Sequence, residues 1–190
     1  MSIINALEKR RSYYSISKEL PVTIEEVTKS IEALAELVPD AFNMKSSRLV
    51  IALGEKHDLL WDSIYEVFDG QVPKDKTDSF KAGAGTVLYF YDQAVVKGLQ
   101  DQFPSYAGNF PGWALQANAM LQISIWSELR ELGIGASLQH YNPVIDQKVR
   151  ELFDVPESYQ LIAQMPFGGI VEEPGLKEKE DISKRVRIVK

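Results

Sequence analysis

The chain contains no cysteine, which excludes disulfides, thiolate catalysis and cysteine-ligated metal and is compatible with a reducing cytoplasm. Histidine is scarce too. The two histidines, His57 and His140, stand far apart in sequence, so no transition-metal site is expected. His57 falls among Glu55, Lys56 and Asp58 at what reads as an exposed helix start and is given no role. His140, beside Tyr141 and Asn142, reads as a hydrogen-bonded structural residue rather than a proton donor. Met1 is not followed by a basic segment and an apolar run, so no signal peptide is expected. Uninterrupted apolar stretches are also missing: the most apolar one, 113–132, carries Gln116, Asn118, Gln122, Glu128, Arg130 and Glu131, which argues against a membrane span. A net charge of −6 argues against broad nucleic-acid binding.

What remains is the composition of a folded chain. Hydrophobic residues at 45% and charged residues at 25% of 190 positions fit one domain over 1–190, and neither linker nor repeat divides it. Ile3 to Lys9 forms a short amphipathic opening. Thr23 followed by Glu26 is a capping-box pattern, and Val27, Ile31, Leu34 and Val38 predict a helix over 24–38 ended by Pro39. "SRLVIAL" predicts a buried strand over 47–53, and "GTVLYFYD" a central strand between a helix through Leu60, Ile64 and Val67 and the loop "GNFPG". A helix over about 113–132 is apolar on most of its circumference, as expected between layers or at a subunit interface, and stops at Gly133 and Gly135. Asn142 and Pro143 predict the N-cap and first turn of a helix to about 153. "YQLIAQMPFGGI" predicts a strand ending in a glycine turn, and "RVRIV" a last edge strand. Strands and helices without regular alternation predict an α+β fold, a sheet covered by helices.

Three polar turns lie between these apolar elements, where binding groups gather. They are "RRS" at 10–12, "FNMKSSR" at 42–48 and "GIGASLQHYNP" at 133–143. Arg10 and Arg11 could be solvated charges at a helix end, or they could hold an anion with Ser12, since planar guanidinium groups bind two oxygens at once. Asn43 can donate and accept in one plane. The small residues of "GIGAS" let backbone come close to a flat ligand.

Together, in this order, and with "ALQANAMLQ" at 114–122 and "PFGGI" near the end, these stretches resemble the shorter branch of the nitroreductase family of flavin mononucleotide (FMN) enzymes. The resemblance spans nearly the whole chain. It implies a mixed or antiparallel central sheet covered by helices, a cytoplasmic homodimer, FMN as cofactor, NAD(P)H as hydride donor and nitroaromatics or quinones as acceptors, served in two half-reactions. Arg10, Arg11 and Ser12 would then meet the phosphate or ribityl chain, with Arg185 of the tail closing the clamp in preference to Lys184 or Arg187. Asn43, Lys45 and Ser46 would border the pyrimidine edge, Ser137 and Leu138 would lie against the ring, and Gln116 is a weaker contact. Lys45 would favour reduced flavin by its charge, although Gln is common there in the family and an exposed loop lysine is the bland alternative. Tyr14 stands where larger members carry Lys. Phe42, Phe103, Tyr106, Phe110 and Trp113 would supply the apolar wall. A flavin-binding protein that stores cofactor or regulates a partner would share every binding motif, and turnover separates it from an enzyme.

Overall fold

The computed structural model describes residues 2–178 and 180–190. Seven α-helices and five strands form a mixed α+β fold among these residues: α1 (Ile3–Lys9), β1 (Ile16–Ser17), α2 (Ile24–Leu37), β2 (Ser47–Leu53), α3 (Glu55–Val67), α4 (Lys74–Lys81), β3 (Gly85–Asp92), α5 (Gln93–Gln102), α6 (Phe110–Glu131), β4 (Ile134–Ala136), α7 (Asp146–Phe153) and β5 (Tyr159–Ile170). Every strand pairing is antiparallel, in the order β1-β5-β3-β2, with β4 also on β5. No described helix is long and apolar enough to cross a membrane.

Alternation along β3 builds the core. Val87 and Tyr89 face α2 and α6, where they pack with Val27, Ile31, Leu121, Ile125 and Leu129. Leu88 and Phe90 face the opposite way, against Leu60, Trp61 and Ile64 of α3, Phe80 of α4 and Val149 of α7. Side chains on a strand alternate with period two, so a sheet whose central strand is apolar throughout must be covered on both faces. On β5 a register shift opposite Tyr89 and Phe90 reverses the parity, putting Ala163 under one layer and Leu161 under the other.

The capping box forms as expected, with the Thr23 N–H donating to Glu26 and the Glu26 N–H to the Thr23 hydroxyl. Elsewhere the structure corrects the pattern. Helix α6 begins earlier than 113, at Phe110, with Pro111 in its first turn, where the missing N–H would have had no partner anyway. Helix α7 starts at Asp146 rather than at Asn142-Pro143, because Asn142 accepts a hydrogen bond from Gln164 (3.3 Å) instead of capping a helix. "PFGGI" is no turn. It continues β5 and lies so close to β1 that a Cβ on Gly168 would stand 2.3 Å from the Ser17 carbonyl oxygen and one on Gly169 2.0 Å from that of Glu19. "RVRIV" forms no strand: residues 185–189 follow a short 3-10 turn and are exposed. His57 is not at an exposed helix start but 1% exposed, its ring between Thr86 (Nδ1, 2.9 Å) and the Lys81 carbonyl (Nε2, 3.2 Å). The polar helix α4 and the short strands β1 and β4 have too little periodic signal to be read in advance.

Candidate functional site

Residues from the three polar turns gather into two groups along α6. The first lies at its C-terminal half. Arg10 ends α1, and its guanidinium lies 4.2 Å from the centre of the Trp126 ring. The Trp126 indole N–H donates to the Ala136 carbonyl (3.1 Å), which also accepts from the Tyr13 N–H (3.0 Å), while Ser12 forms a parallel bridge to Ala136. One carbonyl at the end of β4 therefore ties "RRS" to "GIGAS". Ser137 follows it fully buried, its N–H donated to Pro166 and its hydroxyl accepting from Gln139 (3.0 Å), and Leu138 is half-buried against the α6 side of the core. His140 is exposed.

Electrostatics in this group are one-sided. Arg10 Nε is buried without a hydrogen-bond partner, and burial, then the neighbouring charge of Arg11, pulls the Arg10 pKa below its ordinary value. Arg11 is engaged differently, donating to the Gly175 carbonyl (2.7 Å) at the start of the tail. Beside it the buried Tyr13 hydroxyl accepts from Arg130 Nε and donates to Glu173, both 2.9 Å, and burial raises its pKa.

The second group lies at the N-terminal half of α6, at the turn between α2 and β2. Phe42, Asn43 and Lys45 all take left-handed backbone conformations, with φ of 55°, 50° and 50°. The Phe42 ring stacks on Trp113 (5.6 Å, 19°) and also meets Phe103, Tyr106 and Phe110 at 5.0–5.8 Å. Asn43 and Lys45 are exposed, and Ser46 is fully buried. Arg48 braces the turn, donating to the carbonyls of Lys45 (2.6 Å) and Ser47 (3.0 Å) while pairing with Asp92 (3.3 Å). Val38, Asp40, Asn43, Lys45, Ser47, Arg48, Ala117 and Leu121 line an open cleft of ≈ 270 Å³. Gln116 is exposed on α6 nearby.

Trp113 beside the second group and Trp126 beside the first are separated by about 20 Å of helix rise. One chain thus brings Arg10, Ser12 and Ser137 together, and separately Asn43, Lys45 and Ser46, without joining the sets. Arg185 is exposed and its side chain bonds to neither among the described residues. Trp126, Asp40 and Arg48 were not singled out as site residues from sequence. Nothing local marks Trp126, whereas an Asp preceding a polar turn is a recognisable Asx pattern.

The family model for the nitroreductase family matches residues 7–169. The chain belongs to the nitroreductase family. It is 33% identical over 168 residues to the nitroreductase FRM2 of Saccharomyces cerevisiae, covering 87% of this chain and 86% of that one. It is similar over the full length of both chains to the nitroreductase CinD of Lactococcus lactis, at 40% identity and TM-score 0.95 in its chloramphenicol complex and 39% and 0.93 in its 4-nitrophenol complex. A protein of Exiguobacterium sibiricum solved in complex with FMN shares the fold alone, at 12% identity and TM-score 0.77 over 100% of this chain and 98% of that chain.

Proposed function

We propose that this oxidoreductase is an FMN-dependent enzyme that moves hydride from NAD(P)H to flat nitroaromatic or quinone acceptors, with 1–190 acting as one FMN-binding unit. The observation that carries the reading is the Arg10 group. A guanidinium held against an indole, with a buried Nε lacking a partner and a second cation beside it, is electrostatically incomplete until an anion arrives. A flavin phosphate is a dianion, so the residues present fit the group. Arg10 and Ser12 would hold the phosphate, Leu138 would offer apolar surface to the ring, and Asn43 and Lys45 would meet its polar edge, while Ser137, fully buried with its N–H already donated to Pro166, would support the strand end behind Leu138. When bound, FMN supplies the hydride chemistry, so no side-chain nucleophile is needed. The half-exposed rings of Phe42 and Tyr106 suit a flat acceptor. The Lactococcus relative was solved with chloramphenicol and with 4-nitrophenol, both of which carry a nitro group on a benzene ring.

The two groups lie apart in one chain, and the ≈ 270 Å³ cleft beside the Asn43 turn does not extend to Arg10. A two-fold homodimer that sets the Arg10 group of one protomer against the Asn43 turn of the other resolves both facts. Exposed apolar surface favours it: Ile3, Ile4 and Leu7 of α1 and Leu115, Met120 and Ile123 of α6 face solvent. Among the described residues the outer edge of β2 is unpaired, and Val186, Ile188 and Val189 of the tail are exposed and join no strand. The test begins with colour. Purified protein should carry a flavin absorption spectrum through gel filtration and oxidise NADH or NADPH only when a nitroaromatic or quinone is supplied. A colourless protein that does not take up FMN would reject the reading, and a yellow protein without turnover would make it a flavin store. Sedimentation velocity should show a dimer at micromolar concentration; a monomer there would sink the shared site.

A further inference from the structure

We propose that Asp40 is the positioning residue of the flavin-facing turn, an inference that rests on the reading above. The turn from Asp40 to Ser46 holds three non-glycine residues in left-handed backbone conformations, Phe42, Asn43 and Lys45. Asparagine tolerates that region; phenylalanine and lysine do not favour it and stay there only where neighbours fix them. Asp40 fixes the turn from its entry, as Arg48 does from its exit through the Lys45 carbonyl. Its carbonyl accepts from the Asn43 N–H (2.9 Å), and one carboxylate oxygen accepts from both the N–H and the hydroxyl of Ser46, each at 2.9 Å. Ser46 is itself anchored to the sheet, because its carbonyl accepts from the Asp92 N–H (2.8 Å) at the end of β3.

The consequence concerns where Asn43 and Lys45 point. A residue in the left-handed region projects its side chain differently from one in the right-handed region, so the aim of both groups depends on the closure between Asp40 and Ser46. Ser46 is fully buried with its hydroxyl donated, which makes it part of this brace. Asp40 also lines the cleft that Asn43 and Lys45 share, so the brace is a wall of the site.

Asp40→Ala and Asp40→Asn separate the hydrogen bonds from the charge, since an amide oxygen can accept from Ser46 as the carboxylate does. In the flavin-free full chain, the Ser46 N–H of Asp40→Ala should exchange with solvent at least tenfold faster by NMR than in the parent. In the holoprotein the same variant should bind FMN at least tenfold more weakly and shift the midpoint potential of the bound flavin to more negative values, as Lys45 loses its aim. Asp40→Asn should stay within about threefold in exchange and affinity and keep the potential. Parent-like exchange, affinity and potential in Asp40→Ala would overturn the proposal, as would an Asp40→Asn protein that is folded yet impaired equally. If Asp40→Ala does not fold, Ser46→Ala deletes only the hydroxyl bond and should show smaller shifts in the same directions; none at all would overturn it. Should the parent bind no FMN, the functional reading fails on that result, the positioning of flavin falls with it, and the exchange measurement alone decides whether Asp40 holds the turn.

Discussion

His57 and Arg10 are both basic groups drawn out of water, and they have met that condition in opposite ways. His57 lies buried in the first turn of α3 with both ring nitrogens satisfied. Its Nε2–H donates to the Lys81 carbonyl, leaving Nδ1 to accept from the Thr86 hydroxyl, which in turn accepts from the Trp61 indole at 2.9 Å. Burial lowers its pKa, so it is neutral and needs no counter-ion. Arg10 remains charged, rests on Trp126 and has Nε unpartnered. By residue type, histidine is the usual functional candidate and a helix-end arginine the usual solvated charge. Here the hydrogen bonds invert that order: the network around His57 is closed, and the one around Arg10 is open, which is why the proposed reading gives Arg10 and not His57 a ligand.

Removal of Arg10 should have the largest effect. Arg10→Ala should weaken FMN binding by about 1.5–3 kcal/mol, roughly 10- to 150-fold, the scale of a lost charged hydrogen bond. Riboflavin, which lacks the phosphate, should bind nearly as before. Equal losses for both ligands in a fluorescence titration would place Arg10 outside the phosphate site.

On the other side, His57→Gln should destabilise the fold by about 1–3 kcal/mol, because Thr86 and the Lys81 carbonyl lose a partner inside the core. The pH dependence has a definite sign. With a folded-state pKa below the ordinary 6.5, the unfolded chain binds more protons below that pH, so stability falls as pH drops through 6.5 towards the folded value. His57→Gln should lack this part of the acid limb in denaturant titrations run from pH 7.5 to 5. An identical limb in both proteins would assign it to other groups. Arg11 should matter less to flavin than Arg10, because its exposed guanidinium is already engaged with Gly175. Arg11→Ala should reduce FMN affinity by about 0.5–1.5 kcal/mol and speed proteolysis near residue 175.

Legibility in the sequence followed the range of the interactions. Strands β2 and β3 and helix α2 match their expected bounds within a residue, because period and capping are local properties. Local pattern misplaced His57, since charged neighbours on a helix say nothing about Thr86 on a strand 29 positions away. It also promised a strand at "RVRIV", whose alternation is real but which joins no strand among the described residues. The Arg10 group was visible as a motif and not as a mechanism: Trp126 and Ala136 complete it from more than a hundred positions downstream. The Asn43 turn was legible by composition alone. Its left-handed residues follow from backbone angles that no residue type there dictates, and the Asp40 brace from a side-chain contact six positions on.

Lys45 yields the smallest expected effect and the finest test of what an open site implies. It is exposed, so water and salt screen its charge far more than they screen Arg10 against an indole. Its influence should therefore appear in the difference between oxidation states rather than in binding. A cation near the polar edge of the ring stabilises the more negative, reduced cofactor over the oxidised one, so Lys45→Met should lower the midpoint potential while changing the affinity for oxidised FMN little. Each 30 mV of shift in a two-electron couple corresponds to about 1.4 kcal/mol, and a screened charge should give no more than about that. Potentiometric titration against a reference dye at low and at 0.5 M salt makes the distinction: the shift should shrink as salt rises. An unchanged potential at both ionic strengths would leave Lys45 a loop lysine, with the aim of the turn carried by Asn43 alone.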